Sequence, residues 1–187
     1  MRIKCLSLYL CLVCLSIVAP GVEAATKYLS TTAVCTGNYS IAGDNCTGTD
    51  GDSFNSWTTA VAALTAGDTL YVRTSSRTLT ASQATTWPTT ATVTNRITIA
   101  AYPGEVVTLT KTAATHRVIQ PAGAVESYLT FQGFVIDGTG TLSDVIKLEV
   151  AGGTYPNGIW IIGNEIKNSG WTGNPAHASG SGIAAHC

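Results

Sequence analysis

The chain repeats itself at an interval of 30 residues: Tyr128-Leu-Thr-Phe-Gln-Gly-Phe-Val-Ile-Asp-Gly138 lies over Gly158-Ile-Trp-Ile-Ile-Gly-Asn-Glu-Ile-Lys-Asn168. Leu129 falls on Ile159, Phe131 on Ile161, Gly133 on Gly163 and Ile136 on Ile166. Each copy reads as two short strands hinged at the glycine. A further strand precedes each, Arg117–Gln120 before the first and Val145–Val150 before the second, and Ser181–Ala185 opens a third. Turns this short leave no room for a crossover helix, so neither a hairpin sheet nor a βαβ unit suits the period. Stacked coils do. They set equivalent strands about 4.8 Å apart in parallel sheets and bring the matched apolar residues into one continuous core.

Upstream, Lys27–Thr31 reads as a strand, followed by a Gly-, Asp- and Asn-rich loop to Asp52. Ser53 or Ser56 can cap a helix over 56–65, in which Trp57, Val61 and Leu64 share one stripe and Gly67 ends the run. That stripe suits the end of the stacked core that no strand would cover. Thr69–Arg73, Arg96–Ala100 and Val106–Leu109 extend with a period of two, and Tyr102-Pro103-Gly104 makes a turn. The Thr- and Ser-rich residues 74–95 read as irregular wall and loop.

An export address stands ahead of the fold. Two positive charges in Met1–Lys4 precede the uncharged, mostly apolar Cys5–Pro20, and Val22-Glu23-Ala24 ends in small residues. Residues 1–24 therefore read as a cleaved signal peptide, 25–68 as a cap region with a cysteine loop and a helix, and 69–187 as the first coils. As a helix the apolar stretch reaches about 24 Å, short of a ~30 Å hydrocarbon core, so no stable membrane span is expected after cleavage. In an oxidising, extracellular destination Cys35 and Cys46, close together in a loop of turn residues, are expected to pair. Cys187 has no evident partner, and the third copy has only begun there, so the chain reads as the front of a longer protein. Asn38-Tyr-Ser40 and Asn45-Cys-Thr47 are glycosylation sequons if the source is eukaryotic. Charge argues by exclusion. Only 11% of residues are charged and the net charge is −1, against about 25% charged in ordinary domains, which excludes a coiled coil or a charged disordered tail. Clustered Lys and Arg are missing, so nucleic acid is not an expected partner.

The order Tyr28-Leu-Ser, Gly/Asp loop, Ser56–Leu64, Ala66-Gly67-Asp68-Thr-Leu-Tyr-Val72, Ile97–Gly104, Phe131-x-Gly-Phe-x-Ile136 and Ile161-x-Gly-Asn164-x-Ile166 resembles the start of secreted right-handed parallel β-helix proteins of the pectate-lyase-like superfamily. The resemblance covers 27–186. It implies an all-β, right-handed parallel β-helix (solenoid) with a short N-terminal capping helix, and a polysaccharide or glycan partner. Lyases on this scaffold hold Ca²⁺ with acidic side chains to offset a uronate carboxylate, and use Lys or Arg as the base. Two functions follow: a secreted polysaccharide-lyase-like protein, or a non-enzymatic extracellular adhesin on the same scaffold. Phe134 stands where Asn164 would begin an asparagine ladder, so only one rung is expected.

For lyase chemistry the candidate acids are Asp137, Asp144, Glu149 and Glu165, and the candidate bases Lys147, Lys167 and Arg117. Lys147 and Glu149 alternate with Ile146, Leu148 and Val150 as the polar face of a half-buried strand, and no catalytic residue stands out. Asp137 aligns with Lys167 rather than Glu165, which leaves no matched carboxylate pair for glycoside hydrolysis. Asp44, Asn45, Asp50 and Asp52 have oxygens that suit Ca²⁺, but such residues also populate turns. His177 and His186 flank a Gly/Ser turn without a third ligand. Trp160 faces outward if Ile159 and Ile161 face inward, and with Trp171 and Tyr155 it forms the expected platform for stacking on sugar rings.

Overall fold

The computed structural model describes residues 23–31, 34–73, 76–79, 90–111, 118–119, 128–139, 145–148, 157–168 and 183–185. Residues 1–22, most of the expected signal peptide 1–24, lie outside these residues, as do Arg117, Asp144, Glu149, Tyr155, Trp171, His177, His186 and Cys187. In chain order the elements are β1 (Thr26–Leu29), β2 (Asp52–Phe54), α1 (Trp57–Ala62), β3 (Thr69–Val72), β4 (Ser76–Leu79), β5 (Ile97–Ala101) and β6 (Val107–Lys111). They continue with β7 (Leu129–Gln132), β8 (Phe134–Asp137), β9 (Ile146–Leu148), β10 (Trp160–Ile162), β11 (Glu165–Lys167) and β12 (Ile183–Ala185). The protein is therefore mostly parallel β-sheet with almost no helix. One sheet runs β10-β7-β5-β3-β1-β2, a second β11-β8-β6-β4, and a third pairs β12 with β9. No helix among the described residues is long and apolar enough to cross a membrane.

The interval read from the sequence is also the pairing register: Phe131 pairs with Ile161, and Ile136 with Ile166. From β3 onward, strands consecutive in the chain lie in different sheets; the backbone turns at Gly133 (φ +77°) between β7 and β8 and at Gly163 (φ +60°) between β10 and β11. A side chain at either position would be strained in this left-handed conformation. Asn164 braces the neighbouring bend. Its Nδ2 donates to the Phe131 carbonyl at 3.0 Å, and its Oδ1 accepts the Phe134 N–H at 2.9 Å, so both backbone groups flanking Gly133 are satisfied. Asn164→Ala is expected to cost about 1–3 kcal/mol, the usual penalty for stranding such groups. It should lower Tm while leaving the far-UV circular dichroism unchanged; an unaltered Tm would mean that solvent satisfies both groups.

Alternation does the rest. Leu70, Val72, Ile97, Ile99, Leu129, Phe131, Leu109, Phe134, Ile136 and Ile146 are all nearly or fully buried and belong to one apolar cluster shared by the three sheets. Each such burial contributes on the order of 1.5–3 kcal/mol before the entropy cost of ordering the chain. Trp57, Ala60, Val61 and Leu64 carry the apolar stripe of α1 into the same cluster beside Leu29. The helix is shorter than 56–65, for a local reason. Thr65, instead of extending it, donates its N–H (2.9 Å) and its hydroxyl (3.1 Å) to Asp68, and the chain turns at Gly67 into β3. Ser56 occupies the N-cap position, whereas Ser53 is buried in β2.

One polar side chain enters an apolar row. Register sets Lys27 in line with Leu70, Ile99, Phe131 and Ile161. Its Nζ donates to the Ala63 carbonyl at the end of α1 (2.8 Å) and to Asp68 Oδ2 (2.5 Å), while Asp68 Oδ1 accepts the Ala25 N–H at 2.8 Å. This ion pair joins β1, the end of α1 and the start of β3.

Candidate functional site

The candidate residues divide into four groups. In the first, Cys35 and Cys46 form the expected disulfide, with Cα atoms 5.4 Å apart. In the loop they close and in the segment just after it, the Asx side chains accept from nearby donors. Asp44 accepts from the hydroxyls of Tyr39 (2.7 Å) and Ser30 (2.5 Å), Asp50 from the Ile41 N–H (2.7 Å) and Asp52 from the Gly37 N–H (2.6 Å). Asn45 accepts from the N–H and the hydroxyl of Thr47. These are turn interactions. Among the described residues no three His, Cys, Asp or Glu side chains converge as a metal site.

The second group lies on β8 and β11. Asp137 and Lys167 are register partners, and Glu165 sits opposite Val135. Asp137 Oδ1 accepts from the Thr139 hydroxyl (2.6 Å), the Asn168 amide (2.8 Å) and the Thr139 N–H (2.9 Å). Those donors hold its carboxyl below the ordinary aspartate value. The exposed Lys167 ammonium lies 3.4 Å from Glu165. Such an exposed pair contributes little to stability, and the three charges lie on the polar face of β11 and its neighbour β8.

Trp160 anchors the third. It is 52% exposed, as its outward position on β10 requires. The Arg96 guanidinium stacks on its ring at 3.7 Å from the centroid and lies 6.0 Å from that of Tyr128. Arg96 also donates to the carbonyls of Leu129 (3.0 Å) and Gly158 and to the Thr130 hydroxyl (3.2 Å), which ties together the entries to β5, β7 and β10. Partial burial pulls its pKa below the ordinary arginine value. Tyr128 adopts φ +57°, a conformation that costs a bulky residue energy. Its ring packs so close to Gly158 that a Cβ there would lie 2.7 Å from it. Trp160 thus has one ring face covered by Arg96. Trp171 and Tyr155, the other platform residues, lie outside the described residues.

The fourth group was not singled out from the sequence. On the outer face of the six-stranded sheet, Tyr71, Ala100 and Gln132 stand in one cross-strand row, and Thr69, Thr98 and Thr130 in the next. Because Ala100 is small, a groove of about 380 Å³ opens above it between Tyr71 and Tyr102 on one side and Gln132 on the other, with Thr69 and Thr98 also lining it. The Tyr71 and Tyr102 rings meet edge-on at 5.6 Å. Arg73 fixes the far wall: its guanidinium holds Glu105 at 2.6 Å, donates to the Ile41 carbonyl at 2.6 Å and lies 4.7 Å from the Tyr102 centroid. Burial alone would lower the Arg73 pKa, but Glu105 and the Tyr39 hydroxyl outweigh it and hold the group above its ordinary value. No repeat flags these residues, since Tyr71, Ala100 and Gln132 differ in kind and only pairing aligns them.

No protein-family model, no curated protein and no solved structure matches the chain.

Proposed function

We propose that the chain is a secreted parallel β-helix protein that binds glycans along the outer face of its six-stranded sheet. The solenoid reading is supported by parallel pairing of every named strand among the described residues, by the shared 30-residue register of β7 with β10 and of β8 with β11, and by left-handed glycines at equivalent bends. Export is supported by the basic and apolar start of the sequence and by a disulfide that suits an oxidising compartment. One observation carries the glycan reading. Trp160 ends a cross-strand row of threonine hydroxyls and is held half-exposed by Arg96, as a stacking surface beside hydrogen-bonding groups requires. Polysaccharide-lyase chemistry on this scaffold would draw on Asp137, Lys167 and the acids and bases of neighbouring coils, with Ca²⁺ as the charge-neutralising cation. An adhesin would need the platform alone.

The test is a glycan array followed by incubation of the bound polymers with the protein and Ca²⁺. Trp160→Ala should abolish capture of array ligands with little change in Tm. Release of unsaturated uronides, absorbing near ~235 nm, assigns lyase activity. Capture without turnover assigns the adhesin role, and an array without hits overturns the glycan reading.

A further inference from the structure

We propose that the groove above Ala100 is a subsite for a neutral saccharide ring. This rests on the glycan reading and adds the place and the chemical class of one bound unit. The groove's volume of about 380 Å³ falls in the range of small-molecule sites. The side chains of Thr69, Thr98, Tyr71, Tyr102 and Gln132 converge on it, and none of the five has a hydrogen-bond partner among the described residues. Four hydroxyls and an amide can each both donate and accept, as the neighbouring hydroxyls of a sugar do. The edge-on tyrosine pair supplies an apolar wall for the ring's C–H face.

Charge selects the class. The one guanidinium next to the groove among the described residues, Arg73, is committed to Glu105, Tyr39 and the Ile41 carbonyl. Glu105 itself lines the groove, so a carboxylate-bearing sugar would meet a carboxylate and no available cation. A neutral ring meets hydroxyls, an amide and an aromatic wall. The Arg96 guanidinium lies outside the lining, on the Trp160 side of the same face.

Titration of the full mature chain with cellobiose, xylobiose, mannobiose and digalacturonate, followed by calorimetry, tests this. At least one neutral disaccharide should bind, and digalacturonate should bind more weakly than that sugar. Ala100→Leu, which fills the groove from its floor, should weaken the neutral sugar on the order of tenfold or more. Gln132→Ala, at an exposed position where folding is not at stake, should weaken it several-fold. Preference for digalacturonate, or neutral binding that survives both substitutions but is lost in Trp160→Ala, overturns the groove assignment and leaves glycan binding standing. Absence of binding by any disaccharide, together with an array without hits, overturns both readings.

Discussion

Asp68→Ala is expected to lower the stability of the folded chain by about 3–5 kcal/mol, because it leaves the Lys27 ammonium buried without its counter-charge. Lys27 is only 9% exposed and stands in a row otherwise filled by Leu70, Ile99 and Phe131. Asp68 also receives the N–H groups of Ala25 and Thr65, which are stranded by the same change. Lys27→Met leaves the carboxylate its backbone donors and suits the apolar row, so it should cost less than Asp68→Ala. Urea unfolding of the two variants and of Lys27→Met/Asp68→Ala gives the coupling. A loss below about 1 kcal/mol in Asp68→Ala would show that the pair is solvated and not a fastening point.

The same carboxyl sets the acid limb of stability. Burial by itself would raise its pKa, but the Lys27 ammonium and the N–H groups of Ala25 and Thr65 outweigh burial and hold it below the ordinary value. The folded chain therefore binds fewer protons at Asp68 than the unfolded chain does. Its contribution is complete above the unfolded value, near about pH 4, and is lost as pH falls through the lower folded value. Asp137 shifts in the same direction at a more solvated site. Asp68→Asn should flatten the acid limb and Asp137→Asn should change it little.

How much of this was legible in the sequence depended on whether a feature repeats. The bends at Gly133 and Gly163 and the rows joining Phe131 to Ile161 and Ile136 to Ile166 were legible because equivalent coils carry equivalent residues. β2 was hidden, since Asp52 reads as the end of the loop and Ser53 as a candidate helix cap, and Asp52–Phe54 becomes a strand only by pairing alongside β1, with Cys35 and Ser53 exchanging backbone hydrogen bonds. β4 was hidden in a Thr-rich run for the same reason, its partner Thr108–Lys111 lying far along the chain. The outward position of Trp160 followed from alternation. Its stacking with Arg96 did not, because that contact spans two strand pairings, and neither did the groove, whose defining residue is an alanine. An alanine carries no chemistry to notice in a sequence; it matters only when register sets it between Tyr71 and Gln132.

Cys35→Ser with Cys46→Ser is expected to destabilise the chain by about 2–3 kcal/mol, the usual effect of opening a loop of this size. The larger consequence lies where the loop ends its reach. Tyr39 is fully buried, 5.0 Å from Tyr28 ring to ring, and Tyr28 in turn stacks on Tyr71 at 6.1 Å. The Tyr39 hydroxyl and the Ile41 carbonyl both receive Arg73, and Arg73 holds Glu105 and lies over Tyr102. The disulfide loop thus braces two of the aromatic walls of the groove through a chain of direct contacts. Hydrogen exchange on the double variant should show faster exchange over 37–50 and at Tyr102–Glu105. The bends at Gly133 and Gly163, braced by their own glycines and by Asn164, should keep their protection. Neutral-sugar affinity should fall along with Tyr102 protection even at temperatures well below the transition. A loss of protection spread evenly over all strands would mean that the loop stabilises the fold globally and does not specifically position the groove. An unchanged pattern would mean that Arg73 and Glu105 hold that wall without it.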